Sequence, residues 1–512
     1  MIPIAALFAL ALALRLGGSH QIGPYDDAYH LKRIESFPHT IQFDPDRDAW
    51  CPWPPLYDFV CGAAANVIGV KATVWLPPIA FALFAAALAW HFGSVAGFGV
   101  ALAPYLIGIS RVGDIDHHWV EPMLVVLILI ALMRRSVWLL AFAMTCALFV
   151  QTALIIACGL AFLSLWLFDR EPRYARAFLF AAIAVAVWRF SVPFPESPWF
   201  LGGVYIVLLV AAAVALALHD KWYALPIAIA LTLPFWPELY QGMHFFRGDP
   251  WLSSIVEFQP MFRDASRVGT DLANLGGGVV ALLVVGFVLW GGGGSPPRGG
   301  EAAAAPWSTK TTLLFAICYA LFALTSRRFL PVAIPLLCVM ASTAMTSSRG
   351  ADVSSAHARR QPRCRAAKRT RRPLPIATAA RMAIVVAILL PPLTYDIYAY
   401  TQPKEPENRA PFVIASEIRP LPPGRVLAPW YLGHAIDVFG RHAVVIDNFG
   451  SMPNATRFET ANDALRNRHH DQLLAWCRRN GVRYLATDRA PSWHGFPQIA
   501  PHVWGCSSGE HF

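Results

Sequence analysis

Gly113-Asp114-Ile115-Asp116-His117-His118-Trp119-Val120-Glu121 packs five ionisable residues into nine positions between two strongly apolar runs. A charge in hydrocarbon is costly, so this cluster must lie at a membrane surface or line a wet cavity, where carboxylates and imidazoles can hold a metal ion. Its simpler role is to cap the helix that follows, because acids in a first turn are favoured by the helix dipole. The rest of the chain decides between the two.

Of the 512 residues, 56% are hydrophobic and 14% charged, and the mean hydropathy is +0.45. That excludes a soluble protein of this size and indicates a polytopic α-helical membrane protein. Apolar runs long enough to span, or nearly so, fall at about 2–17, 72–91, 94–110, 119–133, 136–150, 152–168, 177–194, 199–218, 222–240, 276–290, 311–326, 329–345 and 375–396. They predict about thirteen transmembrane helices, with the 136–168 stretch, too long for one helix, divided near Gln151. Ile2 to Leu16 has no basic n-region and no small-residue cleavage pattern, so it is expected to be an uncleaved span.

Charge orients these spans. Arg134-Arg135, Arg170 to Arg176, and Arg359 to Arg372 with its eight basic residues and no acid all fall on one side, together with the Gly/Pro-rich 291–310 linker. By the positive-inside rule that side is the cytoplasm. The net charge of +10 resides mostly in the last of these segments and calls for no nucleic-acid partner. The opposite face receives loops 18–71, 111–121 and 241–275 and the tail from 397. The tail alternates β-like runs (Arg425 to Ala428, Ala443 to Ile446, Val482 to Ala486) with helical patterns such as Asp471 to Arg479. This predicts two units: a transmembrane domain over 1–396 and a small α/β extracytoplasmic domain over 397–512. Among the nine cysteines no Cys-x-x-Cys pair suggests zinc. Cys51 with Cys61, and Cys477 with Cys506, fall on the outer side as either disulfides or free thiols.

Three outer segments carry chemistry. Asp26-Asp27 emerges directly from the first span, at the surface that bears Asp116 and His118, so oxygen ligands and an imidazole can converge on one divalent cation. The third outer loop adds Ser254-Ile255-Val256-Glu257, within a semi-apolar stretch, Trp251 to Phe262, that reads as folded back onto the membrane surface. Arg327-Arg328-Phe329 stands at the outer end of a span, where arginines either snorkel or neutralise a phosphate.

Taken in order, these motifs resemble the catalytic subunit of oligosaccharyltransferase, in its single-subunit archaeal and bacterial form. The resemblance implies a GT-C-type membrane glycosyltransferase that moves a glycan from a polyprenyl (pyro)phosphate carrier to an acceptor. Asp27, Tyr29 and Arg33 match the family's first-loop motif, making Asp27 a better metal ligand than Asp26. Gly113, Asp116, His117, His118 and Glu121 match its second-loop motif, which implies Asp116 and His118 as ligands. Ser254 to Glu257 is similar to its Thr-Ile-x-Glu motif, which implies that Glu257 joins the metal and holds the acceptor. Arg327 and Arg328 resemble the basic residues near the lipid pyrophosphate. In the tail, Pro429-Trp430-Tyr431-Leu432-Gly433-His434, with Asp447-Asn448 after it, occupies the place of Trp-Trp-Asp-Tyr-Gly. Here Tyr431 replaces the Asp that reads the hydroxyl of an Asn-x-Ser/Thr sequon, leaving Trp430, Tyr431, Gly433 and His434 as a degenerate acceptor motif.

The expected enzyme is therefore inverting and metal-dependent, with Asp27, Asp116 and Glu257 catalytic and Asp27, Asp116, His118 and Glu257 around Mn²⁺ or Mg²⁺. The imidazole favours Mn²⁺. Its partners are a polyprenyl-linked glycan and a protein, lipid or polysaccharide acceptor, at the outer face of a bacterial or archaeal cytoplasmic membrane. The altered 429–433 motif favours a lipid, polysaccharide or non-sequon protein acceptor. A transporter using Asp116 and His118 as a proton relay would carry them near mid-membrane rather than at span ends.

Overall fold

The computed structural model describes residues 2–17, 22–39, 43–194, 197–248, 307–343, 409–452, 454–466, 469–489 and 495–506, with single positions or short pieces at 251, 252, 255, 258–261, 268, 271, 274, 394, 398 and 493. Helices occupy the expected apolar runs within this range. Val70–Phe92, Thr152–Asp169, Pro172–Ser191 and Ser308–Thr325 are long and apolar enough to cross a membrane; Ile4–Ala13, His117–Met133, Val137–Val150 and Gly203–Ala217 are shorter apolar helices. The predicted division near Gln151 is present, with Gln151 extended at φ −152° between two helical segments. The 94–110 run is broken at Ala103, because a residue before proline is pushed out of the helical region, and it yields Ser94–Leu102 and Pro104–Gly108. The expected span at 276–290 and the basic segment from Arg359 to Arg372 lie outside the described residues, and 375–396 is described only at Thr394.

Small side chains let these helices approach. A methyl group on Gly97 would come within 2.6 Å of Ala89 Cβ and Leu7 Cδ2, so Ser94–Leu102 lies almost backbone to backbone against Leu76–Phe92 and against Ile2–Ala13. Such contacts are how helices associate where no water is available to drive them together. The first helix ends on Arg15, fully buried, which donates to the Ala11 carbonyl at 2.8 Å and the Ser110 hydroxyl at 2.7 Å. A cation at a helix C-terminus satisfies carbonyls that have no partner within the helix. This fixes the first helix to the segment that leads into Gly113.

The stretch expected as loop 18–71 contains two helices, Asp26–Glu35 and Leu56–Ile68, and a hairpin of β1 (Phe43–Asp44) with β2 (Ala49–Trp50). Leu56–Ile68 escapes a search for spans because it is only 13 residues long and carries Asp58 in its first turn. That charge is tolerated because it pairs with Arg33 of the neighbouring helix at 2.7 Å.

Beyond residue 409 a four-stranded sheet runs in the order β3 (Arg425–Leu427), β4 (Val482–Ala486), β6 (Val503–Gly505), β5 (Gln498–Ala500). The pair β3–β4 is parallel and the other two are antiparallel. The strand expected at Ala443 to Ile446 appears as a single bridge from Val444 to Val426. Helices Ala410–Ile418 and His470–Arg479 cover the sheet, burying Ile414, Ile418, Leu473 and Cys477. Cys477 and Cys506 approach to 3.3 Å between sulfurs as free thiols.

The hairpin is stitched to this sheet unit. The Val444 amide donates to the Asp46 carbonyl at 2.9 Å, Lys32 joins Asp44 and Asp437 at 2.9 Å each, and Arg47 pairs with Asp447. Trp251, expected to fold onto the membrane surface, is instead buried against Trp430 and Phe458. Its indole covers Gly450, where φ is +59° and any side chain would collide with the ring.

Candidate active site

Backbone contacts suspend the 113–121 segment between span ends. The Val112 amide donates to the Arg15 carbonyl at 3.0 Å and the Gly113 amide to the Val74 carbonyl at 3.2 Å. Gly113 has φ +93°, a conformation that a β-carbon disfavours, which explains the glycine ahead of the acidic cluster. Asp116 is extended and precedes a short turn, His117–Trp119, that runs into Glu121–Met133; its side chain makes no capping hydrogen bond and is left to face the imidazoles. Residues three and four apart share a helix face, so His117 and His118 both reach Glu121, at 3.5 and 3.0 Å. The Asp116 carboxylate lies between the two imidazoles. Its Oδ1 is 2.8 Å from His117 Nδ1 and its Oδ2 is 3.1 Å from His118 Nε2.

The Asp26–Glu35 helix brings Asp27 toward this cluster. Asp27 is half-buried, with its Oδ1 buried and without a hydrogen-bond partner; loss of solvent and the charges of Asp114 and Asp116 push its pKa well above the usual carboxylate range. Three residues on, His30 places Nδ1 at 2.6 Å from Asp58 and Nε2 at 3.0 Å from His117 Nδ1. Its ring lies flat on Trp53, with centroids 4.3 Å apart and planes 8° apart. Arg33, matched above to the family's first-loop motif, is fully buried against Asp58.

The two arginines part company. Arg327 forms a bidentate pair with Asp271, at 2.8 and 3.0 Å. Arg328 faces the cluster, 2.6 Å from the His118 ring nitrogens and 2.8 Å from Glu121. Arg328, His117, His118 and Glu121 line a cavity of about 420 Å³. The rest of its wall is mostly apolar, with Leu154, Tyr205, Leu208 and Leu239, while Ile255 and Phe258 enter from the 251–261 segment and Asn448 and Phe449 from the tail. Glu257 lies outside the described residues.

Residues 430–434, expected to form a degenerate acceptor motif, do not line this cavity. Trp430 packs on Trp251, and the Tyr431 hydroxyl donates to Asp488 at 2.6 Å, pointing into the sheet unit. Gly433 is required by a close approach, since a β-carbon would lie 2.4 Å from Asp447 Cα. His434 is fully buried, stacked on Tyr29 with centroids 5.0 Å apart and with neither ring nitrogen hydrogen-bonded. Burial pushes its pKa down to about 3, so the ring is neutral. From the tail it is Asn448, Phe449 and Met452 that reach the cavity. Asp447 orients them, pairing with Arg47 and accepting from the Phe449 amide at 3.0 Å.

Asp116 and His118, expected together from the sequence, are in contact, while His30, Asp58, Gln151 and the pair of Arg47 with Asp447 were not expected at the site. Asp58 carried a signal, as a lone acid inside an apolar 13-residue run. His30 carried none apart from its proximity to Asp27.

No family model and no curated protein matches the chain. Solved structures do. The chain is similar to the archaeal oligosaccharyltransferase AglB from Archaeoglobus fulgidus in complex with an inhibitory peptide and a dolichol-phosphate, at a TM-score of 0.70 and 15% identity over 95% of this chain and 69% of that one. The apo form of the Archaeoglobus fulgidus oligosaccharyltransferase aligns at a TM-score of 0.72 and 14% identity, again over 95% and 69%. The same enzyme tethered by a disulfide to an acceptor peptide containing the NVT sequon aligns at 0.70 and 15%, over 95% and 68%. The chain shares its fold with these structures.

Proposed function

We propose that this protein is a membrane glycosyltransferase that moves a glycan from a polyprenyl (pyro)phosphate carrier to an acceptor at the outer face of a bacterial or archaeal cytoplasmic membrane. The observation that carries this reading is the cavity's lining: a mostly apolar wall that suits a polyprenyl chain also includes Arg328, His118 and Glu121, where a phosphate would sit. Arg328 neutralises charge as the phosphate departs, a stabilisation that grows toward the transition state and so accelerates the reaction. Asp27, Asp116, His118 and Glu257 are proposed as ligands of Mn²⁺ or Mg²⁺. The donor set fits such an ion, since Asp27 Oδ1 is buried without a hydrogen-bond partner and Asp116 Oδ2 lies 3.1 Å from His118 Nε2. When bound, the ion would supply positive charge for the phosphate and polarise the acceptor. The chain's own residues do the rest: Trp53 and Phe449 wall off water, and Arg328 holds the donor.

Tyr431 favours a particular class of acceptor. No carboxylate occupies its position, and its hydroxyl is committed to Asp488. The acceptor we propose is a lipid, a polysaccharide or a protein side chain outside the Asn-x-Ser/Thr sequon. The test is mass spectrometry of membrane glycoproteins and glycolipids from cells producing the protein or its Asp116→Ala variant. Identical glycan profiles would refute the proposed activity.

A further inference from the structure

We propose that His30, His117 and Asp116 form a divalent-cation site of their own, on the carboxylate oxygen of Asp116 that faces away from His118, which takes a transition ion such as Mn²⁺, Fe²⁺ or Zn²⁺ in preference to Mg²⁺. It goes beyond the ligand set above and shares only Asp116 with it.

Geometry comes first. His30 Nε2 and His117 Nδ1 are 3.0 Å apart, and Asp116 Oδ1 lies 2.8 Å from the latter and 3.4 Å from the former. Three ligands on one face of a site with bonds of about 2.1 Å stand ~3 Å from one another. The triangle is already of the right size. Two imidazoles and one carboxylate on a single face select a borderline transition ion over the all-oxygen shell that suits Mg²⁺.

The outer contacts are those of metal-bound histidines. A ligating imidazole is oriented by a hydrogen bond at its other nitrogen, and both rings have one. His30 Nδ1 meets Asp58 at 2.6 Å, and Asp58 is held in turn by Arg33 at 2.7 Å. With the proton on Nδ1, the Nε2 lone pair faces the triangle. His117 Nε2 meets the Gln151 side-chain amide at 2.9 Å. A half-turn of that amide presents its oxygen, fixing the proton on Nε2 and freeing Nδ1 for an ion. Trp53 clamps the His30 ring flat, so it cannot rotate away.

The remaining observation is a buried carboxylate oxygen whose near neighbours are these two imidazole nitrogens. Asp116 Oδ1 lies 2.8 Å from His117 Nδ1 and 3.4 Å from His30 Nε2, so the charge it carries is met either by a proton on one ring or by a cation between them. Asp27 and Asp114 place two further carboxyl groups close by, while Arg33 is already neutralised by Asp58. His117 lines the cavity, which gives an ion a route in.

The experiment uses the purified full-length protein in detergent, titrated with Mn²⁺ and followed by electron paramagnetic resonance with detection of ¹⁴N coupling. Wild type is compared with His30→Gln, His117→Asn and His118→Ala, each first shown to be folded by circular dichroism and gel filtration. We expect a nitrogen-coupled ion whose affinity falls at least about tenfold in His30→Gln and in His117→Asn, and which persists in His118→Ala. If the coupling survives in the first two and disappears in His118→Ala, the site is wrong and the transferase reading stands. If wild type binds no Mn²⁺ with nitrogen coupling, the three side chains are only a hydrogen-bonded cluster and the inference fails. Failure of wild type to transfer any lipid-linked glycan would instead remove the proposed function and leave the metal result untouched.

Discussion

Arg328 lies against His118, its guanidinium 2.6 Å from the imidazole nitrogens, while its neighbour Arg327 is consumed by a bidentate pair with Asp271. The two arginines should therefore behave differently when replaced. Arg328→Ala is expected to lower glycan transfer by roughly a hundredfold, the scale for losing one preorganised donor to developing charge. Arg327→Ala leaves Asp271 buried without its partner and should lower the melting temperature more than it lowers the turnover of the protein that remains folded. Parallel rate and melting measurements on both variants decide it, and equal loss of turnover would remove the distinction.

Asp27→Ala, Asp116→Ala and His118→Ala should each abolish transfer while leaving membrane insertion intact. Each removes a proposed metal ligand that lies outside the four long apolar helices. Insertion is read from membrane fractionation and metal affinity from Mn²⁺ titration. Unchanged affinity in all three variants would show that the ligands were misassigned.

What could be read from the chain follows from periodicity and local charge. The long apolar runs became helices because burial of twenty or so apolar residues outweighs other preferences. The cluster from Asp114 to Glu121 announced itself because it puts charge where hydrocarbon should be. Leu56–Ile68 stayed hidden since Asp58 disguises an apolar helix, and the charge makes sense only once Arg33 and His30 are placed beside it. Arg47 and Asp447 are 400 positions apart, and nothing local to either of them signals the pairing.

That pair holds the first outer hairpin to the sheet unit. Asp447→Ala strands a buried guanidinium and should cost about 3–5 kcal/mol, read as a fall in the unfolding midpoint. The double variant Arg47→Met/Asp447→Leu, which removes both charges, is expected to recover much of the loss. A double variant as unstable as the single one would mean that the pair matters for shape rather than for charge balance.

His434 gives a pH dependence with a definite sign. Its pKa falls from 6.5 to about 3 on folding because the ring is buried, so the unfolded chain binds the proton more readily than the folded one. The contribution of neutral His434 is complete above an unfolded pKa of ~6.5 and is lost as pH drops toward about 3. The melting temperature of wild type should therefore decline more steeply between pH 7 and pH 4 than that of His434→Phe, which keeps a ring against Tyr29. Parallel curves would place the acid sensitivity elsewhere.

The acceptor prediction turns on Tyr431. A carboxylate that accepts a hydrogen bond from a substrate hydroxyl discriminates by a factor on the order of 10⁴, because an analogue without the hydroxyl leaves the acid unpaired. A phenol is a weaker acceptor than an ionised carboxylate, and this one is turned away from the cavity to donate to Asp488. The protein should consequently show no large preference for Asn-x-Ser/Thr peptides over Asn-x-Ala controls. The measurement is transfer from a lipid-linked donor to a pair of fluorescent peptides that differ only in that hydroxyl, using purified protein and Mn²⁺. A preference of roughly a hundredfold or more for the hydroxylated peptide would overturn the expectation. Asp488 would then be the group to examine, because it is the carboxylate that meets Tyr431; if it reads the hydroxyl, Asp488→Ala should erase the preference while transfer to the Ala control persists.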